Sequence, residues 1–181
     1  MKTNTFNNRL ISKECLVIVK KLLTILCSAA IIISLVAFGM AYFTKPSEEE
    51  LVAAKGKLEE TFYSDVDDKD TKLFTENMSE SQMQQIIHAM SHQKVEAEYK
   101  WGKIVLTHAR VGVLLNVLEK NKSSWKHSAV YADILNRWYE GDFSRADEDH
   151  NAIWDLQGGN IGEATGLLNA VEEQQYLADE K

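Results

Sequence analysis

Between Lys21 and Lys45 the chain runs 23 residues without a charge, from Leu22 to Thr44. At 1.5 Å rise per residue, about 20 apolar residues cross the hydrocarbon core of a bilayer, so this stretch is long enough to span one. Five basic residues (Lys2, Arg9, Lys13, Lys20, Lys21) precede it against the single acid Glu14, whereas Glu48, Glu49 and Glu50 follow it closely. Flanking Lys and Arg stay cytoplasmic, which predicts an integral, single-pass protein of the cell membrane, its N-terminus inside and its C-terminal part outside. A cleaved signal peptide is the rival reading. Its apolar region is shorter, typically 7–15 residues, and Ala37-Phe38-Gly39 is a weak cleavage site, so the pattern favours a retained signal-anchor. The expected organisation is a cytoplasmic basic tail (1–21), a transmembrane helix (22–44), a helical stalk with an acidic linker (45–78) and an extracytoplasmic helical domain (79–181). Cys27, Ala30, Ser34, Ala37 and Ala41 are spaced 3, 4, 3, 4. On a membrane helix they form one seam of small side chains, through which two copies of the chain are expected to pack as a homo-oligomer.

The charge balance restricts the partners of the outer part. The whole chain carries −7; the 15 basic and 26 acidic residues after the apolar stretch give that part a formal charge of −11. Nucleic-acid binding needs clustered Lys and Arg to displace counterions, so a nucleic-acid role is excluded. Both cysteines, Cys15 and Cys27, lie in the first 27 residues. The outer domain must therefore fold without a disulfide, on packing alone. All four tryptophans (Trp101, Trp125, Trp138, Trp154) fall in the second half of the chain, which is where the best-packed region is expected.

Capping signals divide the outer part into short helices. Ser47 with Glu50 is a capping box and opens a helix to about Tyr63. Residues 64–77 read as a polar, acidic linker. Ser79 with Gln82 opens a second helix, with Met83, Ile86, Ile87 and Met90 on one face. Residues 103–106 read as a short extended piece. Thr107 caps a helix burying Val111, Leu114, Leu115 and Leu118. Another, near 127–140, ends before Gly141 in the left-handed region. Ser144 with Asp147 predicts a further helix to Gln157, stopped by Gly158-Gly159, and Asn169 with Glu172 caps the last. The fold class expected is all-α: one N-terminal transmembrane helix and a compact bundle of five or six short helices.

Four clusters of polar residues carry possible chemistry. His88 and His92 are four apart, the spacing at which two imidazoles on one helical face hold zinc. On a wheel phased from Met83 they fall opposite the apolar stripe, which predicts solvent-exposed rings free to contact a partner. The run from Asp65 through Asp67, Asp68 and Asp70 to Glu76 resembles a calcium loop, but Lys69 stands at its fifth position and Asp70 at its sixth, where a glycine is needed. Asp147, Asp149 and His150 lie in one helix, with His150 in line with Ala146, Ile153 and Trp154. That phase predicts a buried polar site in which a His–Asp pair serves either as structure or as a general base or metal ligand. Gly158 to Gly166 is glycine-rich, but it follows a helix rather than a strand, so it reads as a turn and not a phosphate cradle. Its Asn160 and Glu163 join His88 and His92 as expected partner contacts.

The run from Asp142 through Asp147-Glu-Asp-His150-Asn and Trp154 to Gly158-Gly-Asn-Ile-Gly-Glu-Ala-Thr-Gly166, with His92-Gln-Lys-Val and Lys100-Trp-Gly, resembles an uncharacterised family of small single-span membrane proteins of Gram-positive bacteria. The likeness covers about residues 80–177. It implies location and architecture and assigns no activity, cofactor or metal. The function expected is a membrane-anchored extracytoplasmic interaction or regulatory module with a protein partner and no cofactor. The alternative is a metal-dependent hydrolase using Asp147, Asp149 and His150, with His88 and His92 as further candidates for the same site.

Overall fold

The computed structural model describes residues 18, 20–27, 31, 33, 45–64, 74–75 and 77–179. The chain divides into two units, 1–46 and 47–181. In the first, residues 18, 20–27, 31 and 33 are helical and exposed. Among the described residues, no helix is long and apolar enough to cross a membrane. Most of the expected span lies outside the described residues. So do Ala30, Ser34, Ala37 and Ala41 of the seam, of which only Cys27 is described, as an exposed free thiol.

The second unit is mostly helical. Its helices are α1 (Glu48–Phe62), α2 (Glu80–Ser91), α3 (His108–Asn121), α4 (Ser128–Tyr139), α5 (Ala146–Leu156) and α6 (Ala170–Ala178). The capping boxes form as the sequence predicts. Ser47 accepts from the Glu50 amide at 3.2 Å while the Glu50 carboxylate takes the Ser47 amide at 2.8 Å. Ser79 with Gln82 and Asn169 with Glu172 do the same for α2 and α6. Thr107 caps α3 and Gly141 ends α4 at φ +77°. The Ser144–Asp147 cap does not form. Ser144 instead turns back on Asp142, donating to its carboxylate through both amide (3.0 Å) and hydroxyl (2.7 Å), and α5 begins two residues later without a side-chain cap. Helix α4 also lacks a side-chain cap, and a neighbour holds the loop that enters it. The Glu80 carboxylate in the first turn of α2 accepts from the amides of Lys126 (3.1 Å) and His127 (2.8 Å) and from the Tyr131 hydroxyl (3.0 Å).

The all-α expectation needs one correction. Two short strands, β1 (Val95–Ala97) and β2 (Ala164–Leu167), pair antiparallel, with Val95 opposite Leu167 and an irregularity after Glu96. Three or four residues are too few for alternation to register in a sequence, and the partners lie about seventy positions apart. β2 comes out of the glycine-rich stretch read as a turn, and residues 103–106, expected to be extended, form no regular element. The ribbon packs its buried Val95 and Ala164 against Ala146 at the start of α5.

The main core is built by the apolar faces of α2, α3 and α4, with Ile153 of α5 and Phe62 at the end of α1. Met83, Ile87, Met90, Leu114, Leu135 and Trp138 are fully enclosed. Each such side chain contributes about 1.5–3 kcal/mol relative to an exposed position, enough to hold a disulfide-free domain together. Helices α3 and α4, consecutive in the chain, pack on each other, α1 packs on α6, and α5 packs on α2. The α2–α5 contact positions the site.

Candidate metal centre

His88 sits in the last turn of α2 and His92 at its C-cap, so one helical turn separates their rings. His150 lies in the middle of α5, on the face that packs against α2. The three rings converge, with centroids 4.5, 4.8 and 5.4 Å apart. One ring nitrogen from each falls within 4.8 Å of the others, and His88 Nε2 stands 2.9 Å from His150 Nε2.

The position of His88 and His92 corrects the sequence reading. They lie inside the domain: His92 is 1 % exposed and His150 0 %, with His88 half-buried. The helical wheel assumes one buried face, but α2 has two. Its Met and Ile stripe faces the main core, and the histidine face is covered by α5 and the Trp101-Gly102 segment.

Backbone groups fix two of the three tautomers. His92 Nδ1 is 2.9 Å from the carbonyl oxygen of Gly102, which can only accept, so the proton is on Nδ1 and Nε2 is a bare lone pair. Gly102 is in the left-handed region at φ +84°, a conformation that favours glycine in the turn presenting this carbonyl. His150 Nδ1 is 3.0 Å from Asn151 Oδ1. That amide is pinned in turn: its Nδ2 donates to the Ala164 carbonyl at 2.9 Å and its Oδ1 accepts from the Ala164 amide at 2.8 Å. The oxygen therefore faces His150, which carries its proton on Nδ1 and leaves Nε2 bare as well. His88 Nδ1 lies 2.6 Å from Gln157 Oε1. With that amide orientation His88 too is protonated on Nδ1, and two bare lone pairs oppose each other at 2.9 Å. The repulsion is relieved in one of two ways. The Gln157 amide turns over and His88 Nε2–H donates to His150, or a cation sits between the rings.

Electrostatics add to this. Burial pushes His150 down to about 4, aided by the nearby His88 ring, and pushes His92 down to about 4 as well. His88 is lowered by burial against the hydrogen bond to Gln157. The cluster is thus neutral at pH 7, the state in which imidazole binds metal. Three imidazoles around a tetrahedral ion at about 2.0–2.1 Å place their nitrogens about 3.3 Å apart, so sub-ångström to ångström ring movements suffice.

The other expected residues take different roles. The Asp149–His150 pair does not form. Buried Asp149 accepts from Arg137 through both guanidinium Nη atoms, Nη1 at 2.9 Å, and from Trp138 Nε1 at 2.9 Å, tying α5 to α4. The hydrogen bonds that Arg137 donates to Asp149, and then to Asp133, hold its guanidinium above its ordinary value. Successive helix residues point about 100° apart, so Asp149 faces α4 while His150 faces α2. Asp147 is half-buried and stands outside the histidine group. Glu163 is exposed. The acidic run from Asp65 to Glu76 lies outside the described residues, apart from Phe74 and Thr75.

Asn160 lines a cleft of about 700 Å³ together with His88, Gln157, Gly102, Trp101 and Trp154. Trp101, expected in a packed region, is 66 % exposed at its edge. Trp154 donates from Nε1 to the Ile161 carbonyl at 2.9 Å, and Gly159 rests so closely on its ring that a Cβ there would lie 2.1 Å from it. Sequence reasoning overlooked Gly102, Asn151 and Gln157, the three orienting partners. Gly102 and Gln157 stand 10 and 69 positions from the rings they orient, and nothing in a sequence marks an acceptor at such a distance. Asn151 adjoins His150, but its role depends on its bonds to Ala164. The His-x-x-x-His spacing was the signal present.

Fold and site together define a small helical domain with a buried three-histidine cluster beside an open cleft, a candidate transition-metal centre. The chain belongs to a family of unknown function (DUF6241), whose model matches residues 87–178 and so spans all three histidines. Neither the curated proteins nor the solved structures contain a match to it.

Proposed function

We propose that this protein is a membrane-tethered metal-binding domain that holds a divalent transition-metal ion through His88, His92 and His150. The observation that carries the reading is the pair of backbone-locked tautomers. Gly102 and the Ala164-pinned Asn151 both leave their histidines with a bare Nε2, that of His150 standing 2.9 Å from His88 Nε2. Second-sphere acceptors on Nδ1 are how metal-binding histidines are oriented. A set of three imidazoles without thiolate or carboxylate favours zinc, copper(II), nickel or cobalt and disfavours calcium and magnesium. The role is binding rather than hydrolysis. No carboxylate joins the histidine group among the described residues, and Asp149, a carboxylate of the hydrolase alternative, is engaged by Arg137 and Trp138. A partner-contact role for His88 and His92 is set aside for the same geometric reason, since their nitrogens face inward. The uncharged stretch from Leu22 to Thr44 and the basic residues before it support an anchor that presents residues 45–181 outside a bacterial membrane.

The test is a thermal melt of the full chain in detergent with EDTA, zinc, cobalt(II) and calcium. Zinc at 100 times its Kd raises stability by about 2.7 kcal/mol. The increase saturates at one ion per chain, is absent with calcium, and is lost in His150→Ala and in His92→Ala. A melt indifferent to every transition metal rejects the reading.

A further inference from the structure

Among the described residues, the histidine cluster is open on its His88 side. His92 and His150 are enclosed, whereas His88 is half-buried and lines the cleft edged by Trp101. Gln157 and Gly102, which orient His88 and His92, line the same cleft. From these positions we infer that the fourth coordination position of the metal opens into this cleft, where it takes a small organic anion: a carboxylate or phosphate-type oxyanion carried on a flat ring. The inference rests on the metal reading above.

Charge selects the anionic end. Three neutral imidazoles leave a divalent ion its full positive charge, so the fourth ligand is favoured if it is negative. The protein does not supply that ligand. None of the described side chains lining the cleft is a carboxylate, although acids outnumber bases in this part of the chain. Asp149, next to His150, faces the other way, toward Arg137. Lys103 is the one charged residue among the described lining, but its Nζ is turned to the C-terminal end of α6, donating to the carbonyls of Tyr176 (2.9 Å), Leu177 (2.9 Å) and Asp179 (2.6 Å). The charge that draws an anion is therefore the metal's own. A lining free of acids leaves the metal's charge uncompensated by the protein, which favours an anion at the fourth position.

The walls select the ring. Trp101 lies nearly parallel to Tyr99, centroids 6.1 Å apart at 17°, and this support lets an exposed indole hold one orientation. Ile161 and Trp154 add apolar surface, and the Gln85 and Asn160 amides supply donors and acceptors at the edge. Apolar walls with a few convergent polar groups are the usual lining of small-molecule sites, and the cleft volume suits one such ligand. A planar ring against Trp101 gains stacking contact that a bare oxyanion lacks.

The experiment loads the full chain with cobalt(II), whose visible absorption changes when its coordination changes, and titrates it with phenylphosphonate and with inorganic phosphate. Phenylphosphonate is expected to shift the spectrum and to bind at least about tenfold more tightly than phosphate. Trp101→Ala is expected to bring the two affinities within about threefold while metal uptake and the far-ultraviolet circular dichroism stay unchanged. Trp101 is exposed, so this variant retains the fold. Failure of cobalt to bind at all overturns the metal reading and this inference with it. Cobalt bound with no spectral response to either anion, or with no preference for the ring, overturns this inference alone. So does phenylphosphonate binding that survives removal of the metal by EDTA.

Discussion

Acidification should destabilise the metal-free domain well before its carboxylates titrate. His92 and His150 are held down to about 4 in the folded protein, mainly by burial, against about 6.5 in an unfolded chain. Between these values the unfolded chain binds more protons than the folded one. The stabilisation is therefore complete above pH 6.5 and is lost as pH falls toward 4. From pH 7 to pH 5, linkage gives about 2 kcal/mol per ring, and roughly half of that if water reaching the cleft side screens the site. The pair amounts to about 2–4 kcal/mol, a large part of a typical domain's 5–15 kcal/mol. At about 2–4 °C per kcal/mol for a chain of this size, Tm should drop by roughly 5–15 °C. Glu50, Glu80 and Asp142 are all held below the ordinary carboxylate range, so their contribution is present above that range and fades only below about pH 4.5. The window from 6.5 to 5 belongs to histidine. The assay is urea or thermal unfolding of the full chain with EDTA at half-unit pH steps, paired with NMR titration of the imidazole ring protons. A flat stability between pH 7 and 5, or rings of His92 and His150 titrating near 6.5, would refute the reasoning.

Two structural predictions accompany it. Asp149→Ala removes the acceptor for both the half-buried Arg137 guanidinium and the enclosed Trp138 indole, so it should cost about 3–5 kcal/mol in urea unfolding; a loss under 1 kcal/mol would mean that α4 and α5 are held by apolar packing alone. Gly159→Ala drives a methyl group into the Trp154 ring and should destabilise the domain by about 1–3 kcal/mol, with a change in tryptophan fluorescence from the displaced indole; unchanged fluorescence would show that the turn moves instead.

Local patterns set much of this protein in advance. The serine, threonine and asparagine caps at Ser47, Ser79, Thr107 and Asn169 mark helix starts because a cap involves only residues within three positions of one another. The apolar spacing of Met83, Ile86, Ile87 and Met90 assigns the core face of α2 for the same reason. Both signals are short-range, so the chain carries them unaided. The cap that failed, Ser144 with Asp147, lost to another short-range bond, from Ser144 to Asp142. The strands and the three-histidine cluster could be decided only by tertiary structure. Val95 meets Leu167, and His88 meets His150, across 72 and 62 positions. A wheel drawn on α2 alone put its histidines in water, because nothing local says that α5 will cover that face. The same packing made Asp149 an arginine partner instead of a histidine partner. Helices follow from contacts within one turn of chain, whereas a site built from several elements exists only once those elements have packed.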